Sequence, residues 1–140
     1  MNICAACWYN DIARIQELIS SGVDVNKLDI NLNCTPLFMA AECGYDHIVS
    51  LLLSVGCEIN KLSHDRRTAL FIASWHGYCS TVSLLLEAGA DMYLADSYGN
   101  TPMSIAFQKG HPRIIEILTH HSNTQKKQCF LQHLLINKFL

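Results

Sequence analysis

The ten-residue phrase at residues 68–77, T-A-L-F-I-A-S-W-H-G, returns twice more in this chain. It reads T-P-L-F-M-A-A-E-C-G at 35–44 and T-P-M-S-I-A-F-Q-K-G at 101–110, so successive copies lie 33 residues apart. A phrase recurring at one fixed period of this length predicts a solenoid. One supersecondary unit cannot bury its apolar face alone, so it stacks on its neighbours.

A second phrase recurs in phase with the first. Ile15, Leu18 and Ile19 precede Gly22; Val49, Leu52 and Leu53 precede Gly56; Val82, Leu85 and Leu86 precede Gly89. The apolar spacing is that of one helix face, and each glycine stands where a helix stops. The one residue added to the period falls between Asn26 and Thr35, which predicts a longer loop there.

These units resemble ankyrin repeats, whose pattern is T-P-L-x-x-A-A-x-x-G followed by V-x-x-L-L-x-x-G-A-D-x-N. The resemblance covers residues 1–122. It implies an all-α fold: an ankyrin-repeat solenoid of helix-turn-helix units joined by short β-hairpin-like loops. The repeats are placed at about 1–26, 35–60, 68–93 and 101–122, with residues 123–140 as a C-terminal tail.

Local signals agree with this layout. Thr35 is an expected helix cap with Pro36 at the first helical position, where a missing N–H costs nothing. Ala40 and Ala41 are small because two helices approach there. Asp46 is expected to cap the second helix of its repeat. Asn31 and Asn33 suit a tight turn, and Arg66 occupies a tip position where the family prefers glycine, which predicts a strained or differently shaped tip. The first repeat lacks Thr-Pro. The fourth decays into Thr119, His120, His121 and Ser122, as a polar outer surface requires.

In the tail, residues 123–128 are polar and read as a linker. Phe130, Leu131, Leu134, Leu135 and Phe139 then have helical spacing, which predicts a short amphipathic helix, folded back as a lid or free to bind a partner. The tail also resembles the SOCS-box that follows ankyrin repeats in some ubiquitin-ligase adaptors. Leu135 stands where that family has a cysteine.

Composition bounds the function. Half of the 140 residues are apolar, which argues against disorder, and a net charge of −2 argues against nucleic acid or an anionic membrane as partner. No apolar run approaches the roughly 20 residues that span a bilayer, and no signal peptide is evident. The seven cysteines, an odd number, read as reduced thiols packed as small apolar groups, consistent with the cytoplasm or the nucleus. Cys4-x-x-Cys7 lacks the setting of a redox or zinc motif. No catalytic motif, metal-ligand cluster or cofactor signature is present; His47, His64, His76 and His111 are spread over different repeats.

The resemblance implies a non-enzymatic protein-binding module, expected as a monomer, with no cofactor. It places the partner-binding surface on the concave side, formed by the hairpin tips and the two residues before each helix-breaking glycine. Those pairs are Trp8 and Tyr9, Glu42 and Cys43, Trp75 and His76, Gln108 and Lys109. The tips add His64, Asp65, Arg67, Ser97, Tyr98 and Asn100, with Asn31 and Leu32. Exposed Trp and Tyr are the residue types that carry binding energy at interfaces. Trp75 is read as a groove residue whose removal spares the fold; core packing is the competing reading for it. For Trp8, covering the open end of the first repeat competes equally with a groove role.

Asn26 and Asn60 resemble, in their leucine-rich context, asparagines that a cytosolic oxygen-dependent hydroxylase modifies in ankyrin repeats. The plainer reading is that each hydrogen-bonds the hairpin backbone and shapes the turn.

Overall fold

The computed structural model describes residues 1–139. It holds eight α-helices among the described residues: α1 (Ile3–Trp8), α2 (Ile12–Ser20), α3 (Pro36–Cys43), α4 (Asp46–Ser54), α5 (Ala69–His76), α6 (Cys79–Glu87), α7 (Pro102–Lys109) and α8 (Pro112–Lys138). The helices form two rows. α1, α3, α5 and α7 pack in order as one row, and α4, α6 and α8 follow one another in the other. No strand occurs among the described residues, and the architecture is the all-α solenoid that the period predicts.

The first row makes the core. Every residue from Pro36 to Ala41 and from Ala69 to Ser74 is buried, because α3 and α5 are covered on both flanks and by their own second helices. The last inner helix shows the rule by exception. Ala41 and Ser74 are fully buried, whereas Phe107, at the same position of α7, is 76% exposed. No further helix pair lies over it among the described residues.

Each inner helix begins on a side-chain cap. The Thr35 hydroxyl accepts from Phe38 N–H (3.1 Å), Thr68 from Phe71 N–H (3.1 Å) and Thr101 from Ser104 N–H (3.2 Å). In the first repeat Asn2 takes this role, accepting from Ala5 N–H at 2.8 Å. The outer helices differ from expectation. Asp46 does not cap α4: it is the first helical residue, after Tyr45, which makes no side-chain cap. Its carboxylate instead accepts from the hydroxyls of Ser80 and Thr81 in the next repeat, at 2.6 Å from Thr81. A carboxylate in a first helical turn is still favoured by the helix dipole.

The loops stack tip to tip. Ser63 N–H bonds the Arg67 carbonyl and Asp96 N–H the Asn100 carbonyl, closing equivalent turns. His64 N–H then donates to the Asn33 carbonyl (3.0 Å), and Ser97 N–H to the Asp65 carbonyl (3.1 Å), so each tip hangs on the previous one. Asn33, Arg66 and Gly99 share one tip position at φ 53°, 59° and 81°. Arg66 thus takes the left-handed conformation of its glycine counterpart instead of reshaping the turn, at a cost of roughly 1 kcal/mol.

Two of the helix-ending glycines, Gly44 and Gly77, touch the next repeat. Beside Gly77 (φ 77°) lies the His111 ring, where an added Cβ would stand 2.7 Å from Nδ1. The same ring makes a 2.8 Å hydrogen bond through Nε2 to the Trp75 carbonyl. Around Gly110 (φ 73°) nothing approaches an added Cβ. Gly110→Ala is therefore expected to cost only the left-handed strain, about 1 kcal/mol. Gly77→Ala must also displace His111, adding about 1 kcal/mol more for a lost part-buried hydrogen bond and contact. Urea unfolding of the two variants measures the difference; equal losses would deny the contact across the repeats.

Candidate functional site

The face formed by the first helix row and the hairpin tips gathers most of the residues singled out from the sequence. A cavity of about 590 Å³ lies there, lined by Trp8 of α1 and Tyr9 just after it, Glu42 of α3, His64, Asp65 and Arg67 of the second tip, and apolar Leu32, Phe38, Met39 and Ile72. A neighbouring cavity of about 420 Å³ is lined by Trp8, Glu42, Cys43, Tyr45 and His76. Trp8 and Glu42 border both. Trp8 is 51% exposed and Tyr9 69% exposed.

The remaining candidates sit further along the stack. Tyr98 is exposed on the third tip, and Asn100 accepts a 2.8 Å hydrogen bond from the Gln108 side-chain amide. Asn31 and Leu32 form the first tip, where the Asp29 carboxylate accepts from both of their N–H groups (2.9 and 2.8 Å).

Trp75 is half-buried and largely occupied by its own chain. Its ring is tilted against Phe71 with centroids 6.0 Å apart. The Arg67 guanidinium lies 5.1 Å from its ring centroid and the Lys109 ammonium 4.2 Å. Such contacts contribute about 0.5–2 kcal/mol each. Packing and surface roles therefore coincide at Trp75.

Arg67 is tied down as well. Its Nε stands 3.5 Å from Asp96 Oδ2, and the Asp96 side chain is fully buried. Asp96 Oδ1 accepts from Tyr98 N–H (3.0 Å) and Asn100 N–H (2.9 Å), so this carboxylate builds the third tip while its other oxygen meets Arg67. The pair joins two tips and underlies the cavity wall. Arg67→Ala is expected to cost about 2–3 kcal/mol, because it strands a buried carboxylate. Removing that charge too, in Arg67→Ala/Asp96→Asn, is expected to restore part of the loss in thermal unfolding; a double variant with the two losses summed would deny the pairing.

Asn26 and Asn60 are ties between repeats. Asn26 Oδ1 accepts from Glu58 N–H at 2.6 Å, and Asn60 Oδ1 from Asp91 N–H at 2.9 Å. Both bonds reach into the next repeat rather than closing the asparagine's own turn. Sequence reasoning assigned the right atoms a more local role.

The cysteines are all free among the described residues. Burial pushes the Cys7 thiol up to about 12 and the Cys57 thiol up to about 11. Hydrogen bonding with Cys34, then burial, raises Cys4 further still. A raised thiol is a poor nucleophile at neutral pH, since the thiolate is the reacting form. Cys129 is exposed on α8. A thiol reagent at neutral pH is expected to consume about one thiol rapidly. Cys129→Ser should remove that fast phase; its persistence would place the reactive thiol elsewhere. No group of three or more His, Cys, Asp or Glu arranged to hold a metal occurs among the described residues.

The tail departs from the predicted linker. α8 runs without a break from Pro112 to Lys138, and residues 123–139 are exposed throughout. Nothing in 123–128 forbids helix: it holds neither Gly nor Pro, and Gln and Lys are good helix formers. The helix does not fold back as a lid. It leaves Phe130, Leu131, Leu134, Leu135, Ile136 and Phe139 in solvent. Leu140 lies outside the described residues. No helix among the described residues is long and apolar enough to cross a membrane.

Paired helices, αL-terminated inner helices and tip-on-tip loops define a helical repeat solenoid. A family model of ankyrin repeats (3 copies) matches residues 3–96, and one of ankyrin repeats (many copies) matches residues 80–119. The chain belongs to the ankyrin repeat family, whose members are generally protein–protein interaction modules. It is also 41% identical over 54 residues to the ankyrin repeat-containing protein YIL001W of Saccharomyces cerevisiae, a match covering 39% of this chain and 10% of that protein. The matched segment is thus about a tenth of that relative's length.

Proposed function

We propose that this chain is a non-enzymatic binding module that holds a partner protein on the face between its hairpin tips and inner helices. It would act there as a scaffold, adaptor or competitive inhibitor. The observation that carries this reading is the cavity bordered by Trp8 and Tyr9, both more than half exposed at the edge of an apolar floor. Large aromatic groups left in solvent beside a concavity are where partner burial yields the most energy. The free thiols fit a reducing compartment, the cytoplasm or nucleus, and the module is proposed to act as a monomer.

A second reading has its own observation. The exposed apolar residues of α8 form a second surface, distant in sequence from Trp8, suited to docking into an assembly such as a ubiquitin ligase. The repeats would then recognise the substrate. Affinity capture with three baits tests both: the intact chain, Trp8→Ala/Tyr9→Ala, and a chain ending at Asn123. Loss of a protein only from the aromatic variant is expected if the tip-and-helix face is the working surface. Loss only from the shortened chain would move the function to α8. Capture of the same proteins by all three would remove support from both. Trp8 is a cleaner probe than Trp75, whose ring also holds the stack together.

A further inference from the structure

The molecule contains an internal control for what an indole at this place attracts. Counted from the alanine that repeats as Ala6, Ala40, Ala73 and Ala106, the second residue on is Trp8, Glu42, Trp75 and Gln108. Each of these alanines offers its carbonyl to the residue five further along, so the register is the same in all four repeats. Trp8 and Trp75 therefore occupy one structural position, in the first and third repeats.

Their surroundings differ in charge. Trp75 is covered by two cations, Arg67 from the tip below its helix and Lys109 from the next repeat. The residue that stands toward Trp8 as Lys109 stands toward Trp75 is Cys43, a neutral thiol. No cation lies over the Trp8 ring among the described residues. Arg67 lines the same cavity, but its guanidinium is placed over Phe71 and Trp75 and faces Asp96.

The unpaired charge beside Trp8 is negative. Glu42 borders both cavities with Trp8, is half-buried, and makes no salt bridge or hydrogen bond among the described residues. Asp65 lies on the rim of the larger cavity, where its carboxylate is 3.8 Å from Arg67 Nη1 and 3.8 Å from His64 Nδ1, which leaves Glu42 as the carboxylate without a partner. The wider field has the same sign: residues 1–122 carry seven Lys and Arg against twelve Asp and Glu, a net charge of −5. A cation entering here would meet an indole face, an unpaired carboxylate and a favourable long-range potential.

We propose that Trp8 and Glu42 form a receptor for one Lys or Arg side chain on an otherwise apolar segment of a partner protein. Leu32, Phe38, Met39 and Ile72 supply the apolar floor for the rest of that segment. This deepens the binding reading given above and rests on it. The chain's interior arrangement at Trp75 is completed, at Trp8, by the partner.

The test selects peptides from a random phage-displayed library on the immobilised full chain. The selected peptides are expected to share a Lys or Arg at one position. Replacing that residue with norleucine in a synthetic peptide should weaken binding about tenfold. The same replacement should matter little to Trp8→Ala or Glu42→Gln, because the coupling is already gone. Circular dichroism and thermal unfolding of both variants confirm that they fold; Trp8 is half in solvent and Glu42→Gln preserves shape. Peptides that lose binding to Tyr9→Ala or Asp65→Asn yet need no cation would overturn the receptor and leave the binding face standing. A selection that returns nothing above a blank surface counts against both. Sedimentation velocity gives the last outcome. A dimer abolished by Glu42→Gln and by ending the chain at Asn123 would assign the site to Lys126, Lys127 or Lys138 of a second copy, and overturn a partner protein as its occupant.

Discussion

Close approach of the inner helices is the constraint on which this structure depends. α3 and α5 are buried through their first six residues, so their middle turns can hold only small groups where neighbours meet: Ala40, Ala41, Ala73 and Ser74 are all fully buried. Burial of this kind leaves backbone groups at the helix ends without water. Threonine hydroxyls satisfy the N-termini, and left-handed C-caps turn the chain so that the following N–H groups bond back onto the helix. Even the hydroxyl of Ser74 is spent internally, on the Leu70 carbonyl at 2.8 Å. Repetition follows from this: a unit whose inner helix needs cover on both flanks is stable only beside another such unit.

Polar ties set the spacing that the apolar contacts then fill. Asn26 and Asn60 pin the backbone of the next repeat, Asp46 holds two hydroxyls across a repeat boundary, and the Arg67–Asp96 pair joins successive tips. Apolar packing alone tolerates sliding along the stack. Directional bonds from fixed side chains do not, and each of these runs between neighbouring repeats.

The repeating positions were legible in the sequence because the physics that fixes them is local and recurs. Thr-Pro at a helix start, alanine at a close approach and glycine at a left-handed end each have one dominant cause. What escaped was decided by neighbours. Asp46 looks like a cap from its place before an apolar run, yet its carboxylate is drawn to Ser80 and Thr81, more than thirty residues on. Trp75 reads as surface from its position, and only the stack reveals that Arg67 and Lys109 lie over its ring. The polar run at 123–128 reads as a linker on composition, although four of its six residues are Gln or Lys, good helix formers, and it extends a helix already begun at Pro112.

The division between repeating and non-repeating positions is also the division between fold and function. Ala6, Ala40, Ala73 and Ala106 are fully buried, and a larger group at any of them would part the helices. Two residues further on, the same four repeats carry Trp, Glu, Trp and Gln, chemically unrelated side chains at one address. Packing therefore does not dictate this position, and what stands there is free to answer to something outside the stack. The third repeat answers internally, with two cations of its own chain over the indole. The first presents the same indole to solvent, beside a carboxylate, with the cation missing. A fold of this kind says little about what it binds. The difference between two of its own equivalent positions says more, because everything the fold imposes is common to both and cancels.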